Sequence, residues 1–380
     1  MARLPKLLYL VSEDWYFVSH RLPLAVAAKA SGFEVSVATR VNHHAGTIRD
    51  AGIRLIPIDF ARSGLNPLSE LRSMSQLMTL YRSEAPDLAH NVALKPVIYG
   101  TVAARHAGVP HVINALMGLG WVFSSDSAKA RLLRPMVEVA LRSTLSGEGA
   151  RTIVQNGDDA TLLVNRRLAQ PDSIRLIRGS GVDPDKYSTY PPPSGDPLVV
   201  LPARLLAAKG VGEFMQAAAL LKEEGIKARF ALVGEPDADS PAAFARQDIE
   251  PFVAAGHVEF WGWRKDMPQV LGAASVVCLP TFYGEGLPKA LLEGAASARA
   301  LVATDVAGCR EIVRPGENGW LVPPRDVRAL ADALREAISQ PELCARYGAA
   351  GRSIVEREFC LAAVIEQTLK VYRELIASES

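Results

Sequence analysis

An α/β architecture of two domains, each built on a parallel sheet, is what this sequence predicts, and three observations predict it. Short apolar runs alternate with helix-patterned segments from Leu7 onward, an order that calls for parallel strands covered on both faces. The order restarts after Thr152-Ile-Val-Gln-Asn156 and Gly181-Val-Asp-Pro. The 380 residues, 49% apolar and 22% charged, are enough for two sizeable cores.

In the first half, Leu7 to Val11, Glu34 to Ala38, Arg54 to Ile58, Leu88 to His90 and His111 to Ala115 are short apolar runs and read as strands. Between them, Leu22 to Ala30, His43 to Ala51, Pro67 to Ser83 and Val97 to Ala107 carry helical patterning. The stretch Tyr190-Pro-Pro-Pro-Ser-Gly-Asp-Pro197 has loop composition and leads into the second sheet. Its strands are expected at Leu198 to Leu201, Arg229 to Val233, His257 to Trp261, Ser275 to Leu279 and Ala300 to Thr304, with a hinge near Gly179 to Gly181. No repeat or low-complexity tract interrupts the pattern.

Composition excludes several functions. A net charge of +1 argues against a general nucleic-acid binder. The four cysteines, Cys278, Cys309, Cys344 and Cys360, form no Cys-x-x-Cys pair, so neither a zinc site nor a disulfide framework is indicated, and reduced thiols in a cytoplasmic protein are expected. The apolar run near the N-terminus ends at Ser12-Glu-Asp, too short for a signal peptide or a membrane span, and no other stretch is long enough to span. Membrane contact is therefore expected to be peripheral.

The most informative segment for function is Tyr283-Gly-Glu-Gly-Leu-Pro-Lys-Ala-Leu-Leu-Glu-Gly-Ala-Ala296, which sets Glu285 and Glu293 eight residues apart. The run from Ala274 to Pro280 reads as a buried strand, so Thr281 to Leu287 is the loop leaving its carboxyl end, where open α/β sheets bind ligands. Gly284 and Gly286 permit close backbone approach, and Pro288 suits the first helical position. A helix N-terminus then faces the loop at Gly286, Leu287 and Pro288 and can hold phosphate on free amides. Eight residues at helical rise span about 12 Å, so the two glutamates suit opposite ends of a nucleotide sugar. Two ordinary exposed acids are the alternative.

About eighty residues earlier, Val200-Leu-Pro-Ala-Arg204-Leu-Leu-Ala-Ala-Lys209-Gly210 places Arg204 and Lys209 between an apolar strand and an alanine-rich helix. Arginine as a planar fork and lysine as a point charge suit a diphosphate, whose charge they would neutralise as its bond to sugar breaks.

Together these residues resemble the retaining glycosyltransferases of family 4, in particular the branch that builds bacterial polysaccharide repeat units on a lipid carrier. The resemblance extends over Gly179-Ser-Gly-Val-Asp183 ahead of Tyr187, Leu232-Val-Gly234, Asp305-Val-Ala-Gly308-Cys-Arg-Glu311 and Gly316-Glu-Asn-Gly319-Trp-Leu-Val-Pro, in that order. One departure is Pro202-Ala203, where the family often has glycine before the arginine. The resemblance implies the GT-B fold, two Rossmann-like domains with parallel sheets facing across a cleft. It implies an acceptor domain at 1–180, a nucleotide-sugar domain at 181–358, and a C-terminal helix at 359–380 that crosses back to the first domain. It further implies transfer of a hexose or N-acetylhexosamine from a UDP-sugar donor to a lipid-linked saccharide acceptor, without a metal cofactor, at the inner face of the plasma membrane.

Residue by residue, the resemblance assigns Glu285 to the transferred sugar, Glu293 to the ribose hydroxyls, and Arg204 and Lys209 to the diphosphate. It makes His90, in Asp87-Leu-Ala-His90-Asn-Val92, a catalytic candidate, although Val92 stands where many members have a second histidine. Lys95 is either an acceptor-phosphate contact or a solvated lysine. Trp263, in Trp261-Gly-Trp263-Arg264, is the candidate for base recognition, with packing as its alternative. The segment Ser12 to Arg21 reads as an aromatic loop for the acceptor side or simply a packed one, with Arg21 able to meet phosphate. Asn114-Ala-Leu-Met-Gly118-Leu-Gly120 follows a strand, and its glycines could admit an acceptor sugar. Lys129, Arg131, Arg134 and Arg142 interleave with Leu132, Leu133, Met136, Val137, Val139 and Leu141, a composition for an anionic membrane surface or a solvated face over core leucines.

No Asp-x-Asp pair stands where a metal-dependent transferase needs one; Asp158-Asp159 and Asp237-x-Asp239 read as turn residues. A dehydrogenase is disfavoured because Gly118-Leu-Gly120-Trp-Val-Phe123 lacks the third glycine of the dinucleotide fingerprint. A nucleotide-sugar epimerase of the same fold and a non-catalytic nucleotide-binding scaffold are the remaining alternatives.

Overall fold

A computed structural model describes residues 3–60, 67–124, 127–187, 195–236 and 242–377. Most of the segment 190–197 and the Asp237-x-Asp239 pair lie outside the described residues. The chain divides into two units, one comprising Met1–Ser180 with Val364–Ser380, the other Gly181–Ala363.

In the first unit, β1 (Lys6–Glu13) leads into α1 (Asp14–His20) and α2 (Leu22–Ala30), followed by β2 (Glu34–Arg40), α3 (Ala45–Asp50), β3 (Arg54–Pro57), α4 (Pro67–Glu84), β4 (Leu88–Val92) and α5 (Leu94–His106). Then come β5 (His111–Ala115), α6 (Trp121–Ser124), α7 (Ala128–Leu145), β6 (Ala150–Val154), α8 (Gly157–Asn165) and β7 (Ile174–Leu176). The sheet has the order β3-β2-β1-β4-β5-β6-β7 with every pairing parallel. Alternation along β1 builds both faces: Leu7, Tyr9 and Val11 enter one core, Leu8 and Leu10 another.

The segment Ser12 to Arg21 is not the expected loop: Asp14–His20 is helical. Its mixed acids and aromatics hide a helical repeat, in which Phe17 is fully buried and Tyr16 stacks on His20, one turn further on, at 4.2 Å between ring centroids. Asp14 fixes the turn at the strand end, because its Oδ2 accepts from the backbone N–H groups of Asn42, His43 and His44 at 2.7, 3.0 and 2.9 Å, ahead of α3.

The second unit begins with β8 (Leu198–Pro202), α9 (Val211–Glu223), β9 (Arg229–Val233), α10 (Arg246–Ala254), β10 (Glu259–Gly262), α11 (Met267–Ala273) and β11 (Val276–Leu279). It continues through α12 (Lys289–Ala296), β12 (Ala300–Thr304), α13 (Ala307–Ile312), β13 (Gly319–Val322), α14 (Val327–Ser339) and α15 (Pro341–Glu358). Its parallel sheet runs β10-β9-β8-β11-β12-β13. In β11, Val276 and Cys278 face one core while Val277 and Leu279 face the other.

The last helix, α16 (Leu361–Ala377), packs from Val364 onward in the first unit, where Val364, Leu369, Val371, Tyr372 and Leu375 join the core of Tyr9 and Phe17. The two connections between units are tied side by side: Val182 N–H donates to Phe359 O at 3.0 Å, and Leu361 N–H to Val182 O at 2.9 Å.

Candidate active site

In each sheet the strand order reverses direction once, between β8 and β11 in the second unit and between β1 and β4 in the first. Beyond the carboxyl ends of such strands the two diverging connections leave a crevice. The second unit's crevice is where the charged side chains singled out from sequence arrive: Arg204 and Lys209 follow β8, and Glu285 and Glu293 follow β11.

Lys209 ends a short 3-10 turn, Ala207–Lys209, and the chain then enters α9 through Gly210 in the left-handed conformation, φ +76°. A Cβ at Gly210 would lie 2.1 Å from the carbonyl oxygen of Pro280, so only glycine lets the β8–α9 connection press against the end of β11. The approach is secured from the other side: Thr281 Oγ1 and Phe282 N–H both donate to Ala208 O, at 2.9 and 3.0 Å. Lys209 Nζ thereby reaches Glu285 Oε1 as a hydrogen-bonded ion pair, with Thr281 Oγ1 3.4 Å from the same oxygen. Both side chains are mostly shielded, 19% and 15% exposed, yet each keeps an open side.

Eight residues on, Glu293 lies on α12 with its side chain 15% exposed and Lys289 Nζ 3.6 Å away. The buried Tyr187 stands beside it; burial, the Glu293 charge and hydrogen bonding to it, and then the Asp183 charge push the phenol well above its usual range. Tyr187 is therefore a neutral O–H donor toward Glu293. The expected loop from Thr281 to Leu287 is present, but Pro288 is the N-cap of α12, with ψ 116°, rather than its first helical residue. Having no N–H, Pro288 donates nothing to a ligand. Leu287 packs its side chain into the core, 8% exposed, and Gly286 is buried, so these positions offer backbone alone. Gly308, at the start of α13, holds this loop close: a Cβ there would lie 2.7 Å from the carbonyl oxygens of both Glu285 and Gly286.

Trp263 follows the edge strand β10, two strands away from β8, or about 10 Å along the sheet. Trp263 is 70% exposed, which removes the packing alternative, and its backbone N–H donates to Glu235 Oε1 at 3.2 Å. Among the described residues no group of three or more His, Cys, Asp or Glu side chains is placed to hold a metal ion.

In the first unit the structure corrects the expectation for His90. The ring is 1% exposed, stacked on Tyr9 at 4.9 Å, and its Nδ1 is 2.6 Å from the hydroxyl of Tyr372 on α16, which in turn is 2.8 Å from Tyr9 Oη. A side chain enclosed on β4 by the last helix cannot touch a substrate. Burial first, and the charge of Arg21 second, hold its pKa well below the usual histidine value, so the ring is neutral. Lys95 is neither solvated nor open to phosphate: it pairs with Glu70 at 2.9 Å and lies over the rings of Phe60 and Tyr99 at 5.0 and 5.5 Å.

Sequence reasoning missed the residues that hold the acid pair in place. Thr281 and Gly308 lie inside or beside quoted motifs, but their contacts join segments distant in sequence. Arg325, just beyond β13, sits over the Phe282 ring at 4.3 Å, a cation beside the Glu285 loop that no local pattern announced.

Two parallel-sheet units in tandem, the second with its acid pair and cations gathered at one strand-order reversal, form a glycosyltransferase of the GT-B class. The Anabaena Alr3699/HepE structure in complex with UDP shares the fold over 97% of this chain and 100% of its own, with a TM-score of 0.76 at 18% identity. Sequence comparison fixes the family: residues 6–146 match the family described as "Glycosyl transferase 4-like" and residues 196–340 the one described as "Glycosyl transferases group 1". The chain belongs to the group 1, family 4 glycosyltransferases and is a hexosyltransferase. Among its relatives is the N,N'-diacetylbacillosaminyl-diphospho-undecaprenol alpha-1,3-N-acetylgalactosaminyltransferase of Campylobacter jejuni, 27% identical, covering 85% of this chain and 86% of that protein. Another is the UDP-Gal:alpha-D-GlcNAc-diphosphoundecaprenol alpha-1,3-galactosyltransferase of Escherichia coli, 24% identical over 75% of each.

Proposed function

We propose that this enzyme moves a hexose or N-acetylhexosamine from a UDP-sugar to a saccharide carried on polyprenyl diphosphate, with retention at the anomeric carbon and without a metal, in assembly of a bacterial surface polysaccharide. The observation that carries the reading is the Lys209–Glu285 pair at the β8–β11 crevice, with Glu293 eight residues further on against Tyr187. UDP as carrier is supported by the name of the Escherichia coli relative and by the UDP complex of the Anabaena protein. Both named relatives carry undecaprenyl diphosphate in their acceptors, which supports a lipid-linked acceptor here.

In this reading Arg204 and Lys209 meet the diphosphate charge in place of a metal ion, together with the backbone N–H groups of the loop ahead of α12. Glu285 accepts hydrogen bonds from hydroxyls of the transferred sugar. Glu293, its orientation fixed by Tyr187, accepts from both ribose hydroxyls, since a carboxylate has two oxygens to match a vicinal diol. The bond from the anomeric carbon to the phosphate oxygen breaks as the acceptor oxygen bonds to that carbon on the same face. The acceptor's proton passes to the leaving phosphate, so no side-chain base is needed. His90 is a positioning residue that links β4 to α16.

Acceptor delivery calls for a membrane, and among the described residues no helix is long and apolar enough to cross one. Helix α7 supplies a peripheral contact: Leu132, Met136 and Val139, one face at helical spacing, are 77%, 70% and 63% exposed, beside the exposed Lys129 and Arg131. This exposed face supports work at the inner face of the plasma membrane.

The test is calorimetric titration of the purified protein with UDP, GDP and ADP in metal-free buffer, alongside Arg204→Ala and Glu293→Ala. Saturable UDP binding, weakened at least tenfold in each variant, is expected. Binding of no nucleotide, or unchanged affinity in Glu293→Ala, overturns the assigned donor site.

A further inference from the structure

At the carboxyl edge of the first unit's sheet, two side chains from separate connections converge on the sulfur atom of a third. Arg21, between α1 and α2, points its Nη2 at Met117 Sδ at 2.5 Å, and Gln155, just past β6, points its Nε2 at the same sulfur at 3.1 Å. Arg21 and Gln155 are each 5% exposed, whereas Met117, just past β5, is half-buried. Arg21 Nε is buried and has no acceptor among the described residues.

This arrangement is chemically incomplete. A guanidinium presents a rigid fork of N–H donors and stays charged at any physiological pH, while a thioether sulfur is a weak, uncharged acceptor. A largely buried guanidinium calls for a counter-charge or acceptors on its N–H groups, and the buried Arg21 Nε has no acceptor among the described residues. The groups that feel its charge, Tyr9, Tyr372 and His90, are neutral, the phenols raised and the imidazole lowered chiefly by burial. A methionine side chain has three rotatable bonds and leaves such a position easily.

We propose that Arg21 and Gln155 form a subsite for a phosphate group of the acceptor's diphosphate, and that the Met117 thioether occupies the place of a phosphate oxygen until the acceptor displaces it. Arg21 Nε and Nη2 present two parallel donors to phosphate, and Gln155 Nε2 adds a third. The assignment to the acceptor rests on the transferase reading above; the anion chemistry of the subsite stands on its own geometry.

The experiment keeps the two apart by saturating the protein with UDP before titrating inorganic pyrophosphate, so that Arg204 and Lys209 are already engaged. Absence of UDP binding would count against the donor site alone. With UDP bound, pyrophosphate is expected to bind the wild type saturably and to bind Met117→Ala at least threefold more tightly, because the competing sulfur is gone. Arg21→Gln is expected to weaken pyrophosphate at least tenfold with UDP affinity unchanged, and to raise KM for a lipid-diphosphate acceptor without a matching loss of kcat. Should Arg21→Gln fail to fold, Arg21→Lys, which keeps charge but loses the fork, and Gln155→Leu are each expected to weaken pyrophosphate severalfold. No binding of pyrophosphate to UDP-saturated wild type and Met117→Ala, or equal binding to the Arg21 or Gln155 variants, overturns the subsite. Inorganic phosphate binding as tightly as pyrophosphate would instead mark a free-phosphate site and overturn the acceptor assignment.

Discussion

Replacing Glu285 by glutamine should separate nucleotide binding from turnover in opposite directions. Lys209 is hydrogen-bonded to Glu285, and Thr281 stands 3.4 Å from the same carboxylate oxygen. A diphosphate that takes Lys209 as its counter-ion must share it with a carboxylate across the ammonium group. Two anionic charges so arranged are about 6.5 Å apart, and at an effective dielectric constant of about 40, between a protein surface and water, they repel by about 1.3 kcal/mol. Glutamine keeps the shape and a carbonyl acceptor for Lys209 but removes that repulsion. UDP should therefore bind Glu285→Gln about tenfold more tightly than wild type, because 1.4 kcal/mol corresponds to a factor of ten.

Calorimetry with UDP in low-salt and high-salt buffer reads this directly, and transfer assays read turnover. The gain should shrink at about 1 M salt, where the Debye length falls to about 3 Å. Turnover should fall, because glutamine offers the sugar hydroxyls a weaker acceptor than a carboxylate does. UDP affinity that is unchanged or weaker in Glu285→Gln would refute the shared-lysine argument, since it would mean that Lys209 does not serve both partners.

Two further predictions follow from the first unit. His90 titrates in the unfolded chain near 6.5 but well below that when folded, so the unfolded state binds more protons as pH falls under 6.5. Its contribution therefore destabilises the fold by up to about 1.4 kcal/mol per pH unit below that point, and His90→Gln should show a shallower loss of urea midpoint between neutral and mildly acidic pH than wild type; parallel curves would contradict the buried neutral assignment. On α7, Leu132→Asp combined with Met136→Asp should lower sedimentation with vesicles containing anionic lipid by more than tenfold, each apolar side chain being worth about 1.5–3 kcal/mol when buried; undiminished binding would remove α7 from the membrane contact.

The sheet cores were legible because their strands are buried on both faces and so appear as uninterrupted apolar runs. Leu22–Ala30 and Ala300–Thr304 follow the sequence pattern to the residue. The strand Ile174–Leu176 escaped because it is a short edge strand with no fully buried residue, and Gly319–Val322 was visible only as part of a motif. Helix α1 was hidden because polar and aromatic residues occupy positions that a hydrophobic repeat would mark. At the site, the charges could be read because they follow strands within a few residues. Their supports could not: Tyr187 lies over a hundred residues from Glu293, and Gly308 meets the Glu285 loop only when β12 has been laid beside β11.

Two shielded arginines differ in how they are partnered within one chain. Arg352, on α15 with its side chain 16% exposed, is held through two of its nitrogens: its Nη1 donates to the carbonyl oxygens of Pro184, Tyr187 and Ala296 at 2.9, 2.7 and 2.6 Å, and its Nε to Glu356 at 2.5 Å. It thereby ties the turn carrying Tyr187 to the C-terminal end of the helix carrying Glu293, and so positions the phenol that stands beside Glu293. Arg21 is more deeply buried, yet it meets only a thioether and keeps Nε without an acceptor. A buried guanidinium gains from every additional acceptor, and the more buried of the two has fewer. The deficit lies where strand ends converge in the first unit, as the half-open Lys209–Glu285 pair does in the second. Each unit thus gathers charged side chains at the carboxyl edge of its own sheet, where the strand order reverses.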